Sequence, residues 1–143
     1  MIHLAGLAYA GVLAQLHAAA FPEEPWSEAA FLTLLGHPGT IAWVNERGGF
    51  LLLRTVLDEA EILTLGTTAR RQGIARSLLQ TAIAHAKNHG ISKIHLEVAE
   101  QNSAARALYC VHNFIQSGRR PNYYVDGDTA LVLCLDLGAE PGE

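Results

Sequence analysis

Arg70-Arg71-Gln72-Gly73-Ile74-Ala75 stands at the point where the periodicity of this sequence changes. Upstream, residues 61 to about 67 are mostly apolar or β-branched, which favours a strand. Downstream, apolar residues recur at intervals of three and four as far as Gly90, a residue typical of a helix end. They are Ile74, Leu78, Leu79, Ala82, Ile83 and Ala86. The stretch therefore predicts a connection from a strand into an amphipathic helix.

The start of this helix is a candidate anion site. The first amides of a helix have no partner within it, and the helix dipole adds positive potential there. Gly73 permits close approach of a diphosphate, Ala75 keeps the helix start small, and Arg71 and Arg76 can add charge-assisted contacts. The residues exclude a P-loop and the GxGxxG dinucleotide fingerprint. A simple turn before a helix would use the same residues, so the residues alone do not decide between a turn and an anion site.

The N-terminal third predicts two helices joined by an aromatic, proline-rich loop at residues 21–26. We expect residues 4–21 to be helical rather than a targeting segment, because a basic n-region is absent and Gln15 and His17 interrupt the apolar run. The expected apolar stripe is Leu7, Val12, Leu13, Leu16 and Ala20. Ser27 is a candidate N-cap for the second, short helix.

Strands dominate the remaining segments. Residues 40–44 and 50–56 are rich in β-branched and apolar residues and are separated by a glycine-containing turn, so with residues 61–67 they predict an antiparallel meander. Residues 94–98 alternate apolar and polar, as in a strand with one buried face. Asn102 or Ser103 can cap another helix, and two strands follow, around Phe114 and over 129–137.

A strand, helix and strand around Gly73 imply a parallel pair joined by a crossover. We therefore predict an α/β (α+β) fold with a mixed, mostly antiparallel sheet of six to seven strands, flanked by about four helices. The chain has 143 residues, half of them apolar, which suits a single domain over 1–143.

Composition excludes several classes of function. The net charge of -4 argues against nucleic acid as a partner, and no apolar run is long enough to predict a membrane span. Two cysteines, Cys110 and Cys134, are too few for a disulfide framework and predict reduced thiols in a cytoplasmic protein. His85 and His89 have helical spacing without an HExxH pattern, so we expect a solvated helix face and no metal.

Several motifs in order resemble the GNAT superfamily of acetyl-coenzyme A-dependent N-acetyltransferases. Arg70, Gly73 and Ala75 match its acetyl-coenzyme A motif of Gln or Arg, two residues, Gly, one residue, then Gly or Ala. Further matches are residues 59–65, 96–98 and 102–109, Arg119-Arg120, Tyr123-Tyr124, and Phe21, Pro25, Trp26 and Ser27 in the first loop. The resemblance runs from about His17 to Leu135 and implies the GNAT fold.

The resemblance also implies which residues bind acetyl-coenzyme A. Asn102 matches the position that contacts the pantetheine arm, and Leu65 and Thr67 match strand positions whose backbone pairs with that arm. The diphosphate is expected at Arg70, Arg71, Gln72, Gly73, Ile74, Ala75 and Arg76. This chain departs from the family in a loop of residues 66–69 that is about two residues shorter than usual, and in having Asn113 where Gly is usual.

Glu97 and Tyr109 are the candidate catalytic pair. Amine acetylation needs a base for the ammonium and a proton for the departing thiolate, and a carboxylate and a phenol can supply these roles. Spacing alone leaves open a solvated glutamate and a packing tyrosine. The resemblance implies that Glu97 is the general base, directly or through water, and Tyr109 the acid, with direct attack in a ternary complex.

The acceptor site is expected at Trp26, Tyr123 and Tyr124, which match family positions near the acceptor groove; aromatic packing at a loop base is the alternative. Arg119 and Arg120 are expected to support that loop. The motifs resemble the branch that acetylates the N-terminal amine of a ribosomal protein. Transfer to a small amine or a lysine, and a non-catalytic acyl-coenzyme A-binding module, remain as alternatives.

Overall fold

A computed structural model describes residues 1–68 and 73–138. In chain order the elements are β1 (Ile2–Ala5), a single 3-10 turn (Leu7–Tyr9), α1 (Ala10–Ala20), α2 (Glu28–Leu35), β2 (Thr40–Asn45), β3 (Gly49–Val56), β4 (Glu59–Thr67), α3 (Ile74–Asn88), β5 (Lys93–Ala99), α4 (Ser103–Val111), β6 (Ile115–Arg120) and β7 (Ala130–Asp136).

The seven strands of the described chain form one sheet in the order β1-β2-β3-β4-β5-β7-β6. All neighbouring strands are antiparallel except β4 and β5, which are parallel because α3 carries the chain across between them. The predicted mixed, mostly antiparallel sheet with four α-helices is confirmed.

The parallel pair is joined only at its beginning. Register pairs run from Glu59 with Lys93 to Glu61 with His95, and none joins residues 62–66 to β5 in the described chain. The separation starts where the β3–β4 register shifts, since Leu53 faces Ile62 while Leu52 faces Thr64. A bulge increases local twist. The two strands therefore diverge and leave a gap in the middle of the sheet.

Apolar residues fill both faces of the sheet. On one face, Leu51 and Leu53 of β3 pack with α3; on the other, Phe50 and Leu52 pack with α1 and α2. All four side chains are fully buried. A strand covered on both faces reads as an unbroken apolar run rather than an alternating one, which explains residues 50–53.

The start of the chain corrects the sequence-based prediction. Residues 2–5 form β1 against β2, so the helix predicted over 4–21 begins only at Ala10. The predicted apolar stripe is partly confirmed, because Leu13, Leu16 and Ala20 pack in the core whereas Leu7 and Val12 are exposed. The buried residues of α1 are Ala10, Leu13 and His17. A four-residue strand that pairs with residues 42–45 leaves too little periodicity to be recognised.

Predicted turns and ends are mostly close to those observed. Helix α3 ends at Asn88, and Gly90 follows in the left-handed region with φ of 73°. Asn113 also has φ of 73°, so it adopts the turn for which the family usually has glycine. The strand predicted around Phe114 begins one residue later, at Ile115, because the Phe114 amide donates to the Tyr109 carbonyl at 3.1 Å in the turn after α4.

Within residues 1–68 and 73–138, no helix combines the length and hydropathy needed to cross a membrane. Cys110 and Cys134 are both free thiols.

Candidate functional site

The start of α3 has the geometry of an anion site. Gly73 is its N-cap with φ of 71° and, as glycine, has no side chain with which to cap the helix. The first intrahelical bond runs from the Ser77 amide to the Gly73 carbonyl at 3.0 Å, so the preceding amides of the first turn have no partner within the helix. A Cβ on Gly73 would meet no atom of residues 1–68 and 73–138 within 4 Å. Among these residues, backbone conformation and not a close contact is what requires glycine here.

The predicted diphosphate residues divide into three groups. Arg70, Arg71 and Gln72 lie outside the described residues. Ile74 is buried, and its side chain packs closely on Gly49. A Cβ added to Gly49 would lie 2.4 Å from the Ile74 side chain. Only the Ile74 amide can therefore face a ligand, and its side chain anchors the helix to the sheet. Ala75 is half-buried and Arg76 is exposed.

The predicted pantetheine residues lie on the strands that border the gap between β4 and β5, or just beyond them. Leu65 pairs with Leu51 of β3 and Thr67 pairs with Gly49, so both lie on the strand that borders the gap. Asn102 lies beyond the end of β5 as the N-cap of α4. Its side-chain oxygen accepts a hydrogen bond from the Ala105 amide at 3.2 Å, which assigns that oxygen a capping role.

Glu97 and Tyr109 come from the strand and the helix that follow the gap. The Glu97 side chain is 23% exposed, and its Oε2 lies 3.2 Å from Nε of Arg120. Tyr109 is 6% exposed. Burial, and then the neighbouring Tyr124, raise the pKa of Tyr109 above the ordinary tyrosine value. Tyr109 is therefore protonated at neutral pH and has a proton to donate.

Tyr124 connects the two catalytic candidates. Burial first, and then the negative charge of Glu97, raise its pKa to about 12. Because Glu97 acts on the pKa of Tyr124, and Tyr124 acts on the pKa of Tyr109, the three side chains lie in one region. A carboxylate and a protonated phenol near each other can remove one proton and supply another.

Tyr123 and Tyr124 are held by a tight loop between β6 and β7. Both backbone amides donate to the Asp128 carbonyl, at 3.0 and 3.1 Å, and their rings are 5.2 Å apart. The Arg120 guanidinium lies 5.5 Å from the centre of the Tyr123 ring. Tyr123 remains exposed while Tyr124 is half-buried, so this loop presents one accessible ring beside the catalytic candidates.

Trp26 lies in the opposite loop, at residues 21–26. Its amide donates to Nδ1 of His17 at 3.1 Å, and its ring stacks on the His17 ring with centroids 4.7 Å apart. Glu24 of the same loop adds to the negative field that raises the pKa of Tyr124. The structure therefore brings this loop and the Tyr124 loop to the same region, although about 100 residues separate them.

Two features of this region were not found by sequence reasoning. Arg120 pairs with Glu97, and Arg119 pairs with Glu100 at 3.5 Å, so both arginines contact carboxylates. These pairs span β7, which lies between β5 and β6. His17 was the other omission, since it looked like an interruption of an apolar run. The arginine–carboxylate pairs depend on the order of the strands, and the role of His17 depends on its burial. Neither can be predicted from local spacing.

The paired histidines of α3 are not on a fully solvated face. His85 is half-buried, with its ring centroid 5.3 Å from Trp43, and His89 stacks on His85 at 4.0 Å. Burial, and then His89, lower the pKa of His85. In the described part of the chain, no group of three or more His, Cys, Asp or Glu side chains could hold a metal ion.

Comparison with known proteins identifies the family. Residues 12–114 match the family model described as Acetyltransferase (GNAT) family. The [Ribosomal protein bS18]-alanine N-acetyltransferase of Escherichia coli (strain K12) is 32% identical over 121 residues, which cover 79% of this chain and 82% of the relative. N-alpha-acetyltransferase RimI of Mycobacterium tuberculosis is 35% identical over 128 residues, covering 81% of this chain and 78% of that protein.

Solved structures agree in fold. The crystal structure of the ribosomal-protein-S18-alanine N-acetyltransferase from Escherichia coli matches with a TM-score of 0.87 and 26% identity, covering 100% of this chain and 98% of that chain. The NatC complex bound to Gag peptide and CoA matches with a TM-score of 0.78 and 25% identity, covering 95% and 98%. This chain belongs to the GNAT family and is an acetyl-coenzyme A-dependent N-acetyltransferase.

Proposed function

We propose that this enzyme acetylates the N-terminal α-amine of a protein, and that the acceptor is a ribosomal protein. The observation that carries the proposal is the convergence of Glu97 and the buried, protonated Tyr109 around Tyr124, between two loops that expose aromatic rings. Relatives named for the alanine of ribosomal protein bS18 cover about four-fifths of the chain and support the choice of acceptor.

The described residues fit acetyl-coenzyme A as the acetyl donor. The amides at the start of α3, beside Gly73, suit the diphosphate. Residues 62–66 have no partner in β5, so their free edge suits the pantetheine arm, which can add to a strand as a peptide would. Acetyl-coenzyme A supplies a thioester carbonyl, which is the electrophile.

The proposed reaction is a direct attack in a ternary complex. Glu97 accepts a proton from the acceptor ammonium, directly or through water. The amine nitrogen then forms a bond to the acetyl carbon as the bond from that carbon to sulfur breaks. Tyr109 donates its phenolic proton to the departing thiolate and takes up the second proton of the product nitrogen, while Glu97 releases the first proton to solvent. Burial keeps the phenol protonated until the thiolate departs and disfavours a lasting phenolate, so the two proton transfers at Tyr109 are coupled.

The electrostatics of the acceptor side suit a cationic N-terminus. Glu24, Glu97 and Asp128 all place negative charge near Tyr124. An α-ammonium would be attracted to this region, and so would the basic residues common in proteins that bind RNA. The exposed Tyr123 ring and the half-buried Trp26 ring offer surface for the residues that follow the N-terminus.

We further propose that residues 1–143 act as one GNAT domain. The two apolar cores share β3, whose neighbouring Phe50 and Leu51 point into different cores. The halves of the chain on either side of this strand therefore depend on each other for burial.

A ribosomal acceptor would also be met in the cytoplasm, which is where we propose that the enzyme acts.

The test is a mass-spectrometric screen with acetyl-coenzyme A supplied. The acceptors are peptides with free N-termini, the same peptides with a blocked N-terminus and an internal lysine, and small amines. We expect the acetyl mass on free N-termini only, with turnover lost in Glu97→Gln. Acetylation of small amines or lysine alone would overturn the acceptor assignment, and binding without any turnover would favour the non-catalytic module.

A further inference from the structure

We propose that His17 is a positioning residue for the acceptor. In this proposal, His17 holds the loop of residues 21–26, and with it Trp26 and Glu24, in the position that the acceptor N-terminus requires. The inference rests on the proposed function, because that function assigns Trp26 to the acceptor side of the site.

His17 makes a specific bond to the loop from inside the protein. It lies in the last turn of α1 and is only 3% exposed. Its Nδ1 accepts a hydrogen bond from the backbone amide of Trp26 at 3.1 Å. Because Nδ1 is the acceptor, this nitrogen carries no proton and the neutral ring has its proton on Nε2. Phenylalanine would fill the same space but could not accept this bond.

The His17 ring is also the centre of an aromatic cluster. Trp26 stacks on it at 4.7 Å with an interplanar angle of 20°, and Phe21 contacts it at 4.9 Å. Below it, Phe31 and Phe50 lie at 5.7 Å each. His17 therefore contacts both ends of the loop and joins them to the rigid core of α2 and β3.

A displaced loop would alter the acceptor side selectively. Glu24 lies between the two residues that His17 holds, and its charge acts on Tyr124. Phe21 is held a second time, because it packs over Gly66 of β4, where an added Cβ would lie 2.8 Å from its ring. Displacement is therefore expected at the Trp26 end of the loop and not at the edge of β4. The start of α3, by contrast, is anchored through Ile74 and Gly49 in the other core. Loss of the His17 bond should therefore weaken acceptor binding and spare cofactor binding.

The experiment compares two substitutions at this position. His17→Phe keeps an aromatic ring and removes the bond acceptor, whereas His17→Asn keeps an acceptor oxygen near the place of Nδ1 and removes the ring. His85→Phe is the matched control, because His85 also contacts a tryptophan, Trp43, but lies on α3 away from the loop. The readouts are kcat and the KM values for an N-terminal peptide and for acetyl-coenzyme A.

We expect His17→Phe to raise the peptide KM about tenfold, the scale of one lost buried hydrogen bond, with kcat and the acetyl-coenzyme A KM within about twofold. His17→Asn should raise the peptide KM less, by about threefold, and His85→Phe should leave it unchanged. An unchanged peptide KM in His17→Phe would overturn the proposal. An equal rise in His85→Phe, or in the acetyl-coenzyme A KM, would do so too.

A second measurement needs no turnover. Acrylamide quenching of tryptophan fluorescence reports mainly Trp26, because Trp43 is only 5% exposed. We expect stronger quenching in His17→Phe than in the wild type, and unchanged quenching would count against the proposed role. If the wild type does not acetylate peptides, the proposed function fails, while quenching still decides whether His17 holds the loop. If His17→Phe does not fold, His17→Asn must show the smaller rise in peptide KM together with stronger quenching.

Discussion

The proposed cofactor side and the proposed acceptor side of this site differ in the groups that form them. The described part of the proposed cofactor side is mainly backbone: the first amides of α3, a left-handed glycine at Gly73, and the edge of residues 62–66 in β4. The proposed acceptor side consists of side chains from two loops about 100 residues apart, one carrying Trp26 and one carrying Tyr124. Backbone geometry follows from local sequence, whereas the side-chain assembly requires the whole sheet.

This difference affects how each side of the site tolerates substitutions. A backbone site tolerates most side chains as long as the helix start and the glycine are kept. A side-chain site can change its acceptor by changing single residues in either loop. Substitutions on the two sides should therefore separate cleanly into effects on acetyl-coenzyme A and effects on the acceptor.

The largest effect is expected where the two sides meet. Tyr109→Phe should lower kcat about a hundredfold, because a positioned acid contributes on this scale, while both KM values stay within about threefold. Steady-state kinetics with both substrates varied would measure this. Tyr124→Phe is the comparison, and we expect it to change the acceptor KM more than kcat. Unchanged turnover in Tyr109→Phe would remove Tyr109 from the mechanism.

Acid should lower the free energy of unfolding through His17, the residue that holds the acceptor-side loop. Burial lowers the pKa of His17 from 6.5 to about 4, so the unfolded chain binds the proton more tightly than the folded chain. Stability is therefore fully present above pH 6.5 and is lost as the pH falls toward 4. Between pH 7 and 5 this amounts to about 2 kcal/mol. Urea unfolding at both pH values would measure it, and His17→Phe should lack this part of the pH dependence.

A smaller effect is expected from the glycine on the cofactor side. Gly73→Ala forces a side chain into a left-handed backbone, which costs about 1 to 2 kcal/mol, and should raise the acetyl-coenzyme A KM about tenfold. Gly90→Ala is a matched control at the other end of α3, because Gly90 has nearly the same φ and, like Gly73, no atom of the described residues within 4 Å of an added Cβ. Equal changes in cofactor KM for both variants would show that strain in α3, and not the anion site, is responsible.

The smallest effect is expected at Asn102. Asn102→Ala should lower the free energy of unfolding by about 1 kcal/mol, because it removes the cap of α4. Asn102→Ser keeps a capping oxygen and should restore stability. Measuring the acetyl-coenzyme A KM of both variants separates two roles. A rise in KM in the stable serine variant would support the predicted contact with the pantetheine arm, and no rise would leave only the cap.

Much of the fold could be predicted, because most elements show their own period. Helix α3 and strand β5 each bury one face, so residues 74–88 repeat at helical spacing and residues 93–99 alternate. Asn113 was predicted to tolerate a left-handed backbone, and it has one. Strand β1 was missed because four residues are too few to show a period, and their pairing with β2 is a long-range contact.

The candidate site was only partly predictable. Glu97 and Tyr109 were selected by resemblance, since their spacing alone also suits a solvated residue and a packing residue. Arg120 beside Glu97 could not be foreseen, because the pair crosses β7 and depends on strand order. His17 was misread, since a single polar residue in an apolar helix does not reveal whether its ring is buried with a partner or exposed.

The sequence by itself determined most of the elements after β1, the helix start at Gly73, and the membership in a family that the ordered motifs indicated. Tertiary structure alone decided the gap between β4 and β5, the contact of Arg120 with Glu97 and the hold of His17 on Trp26. The physical reason is the range of the interactions. Backbone conformation and amphipathic period depend on neighbours within a few residues, whereas these contacts join residues that only the folded sheet and its packed loops bring together.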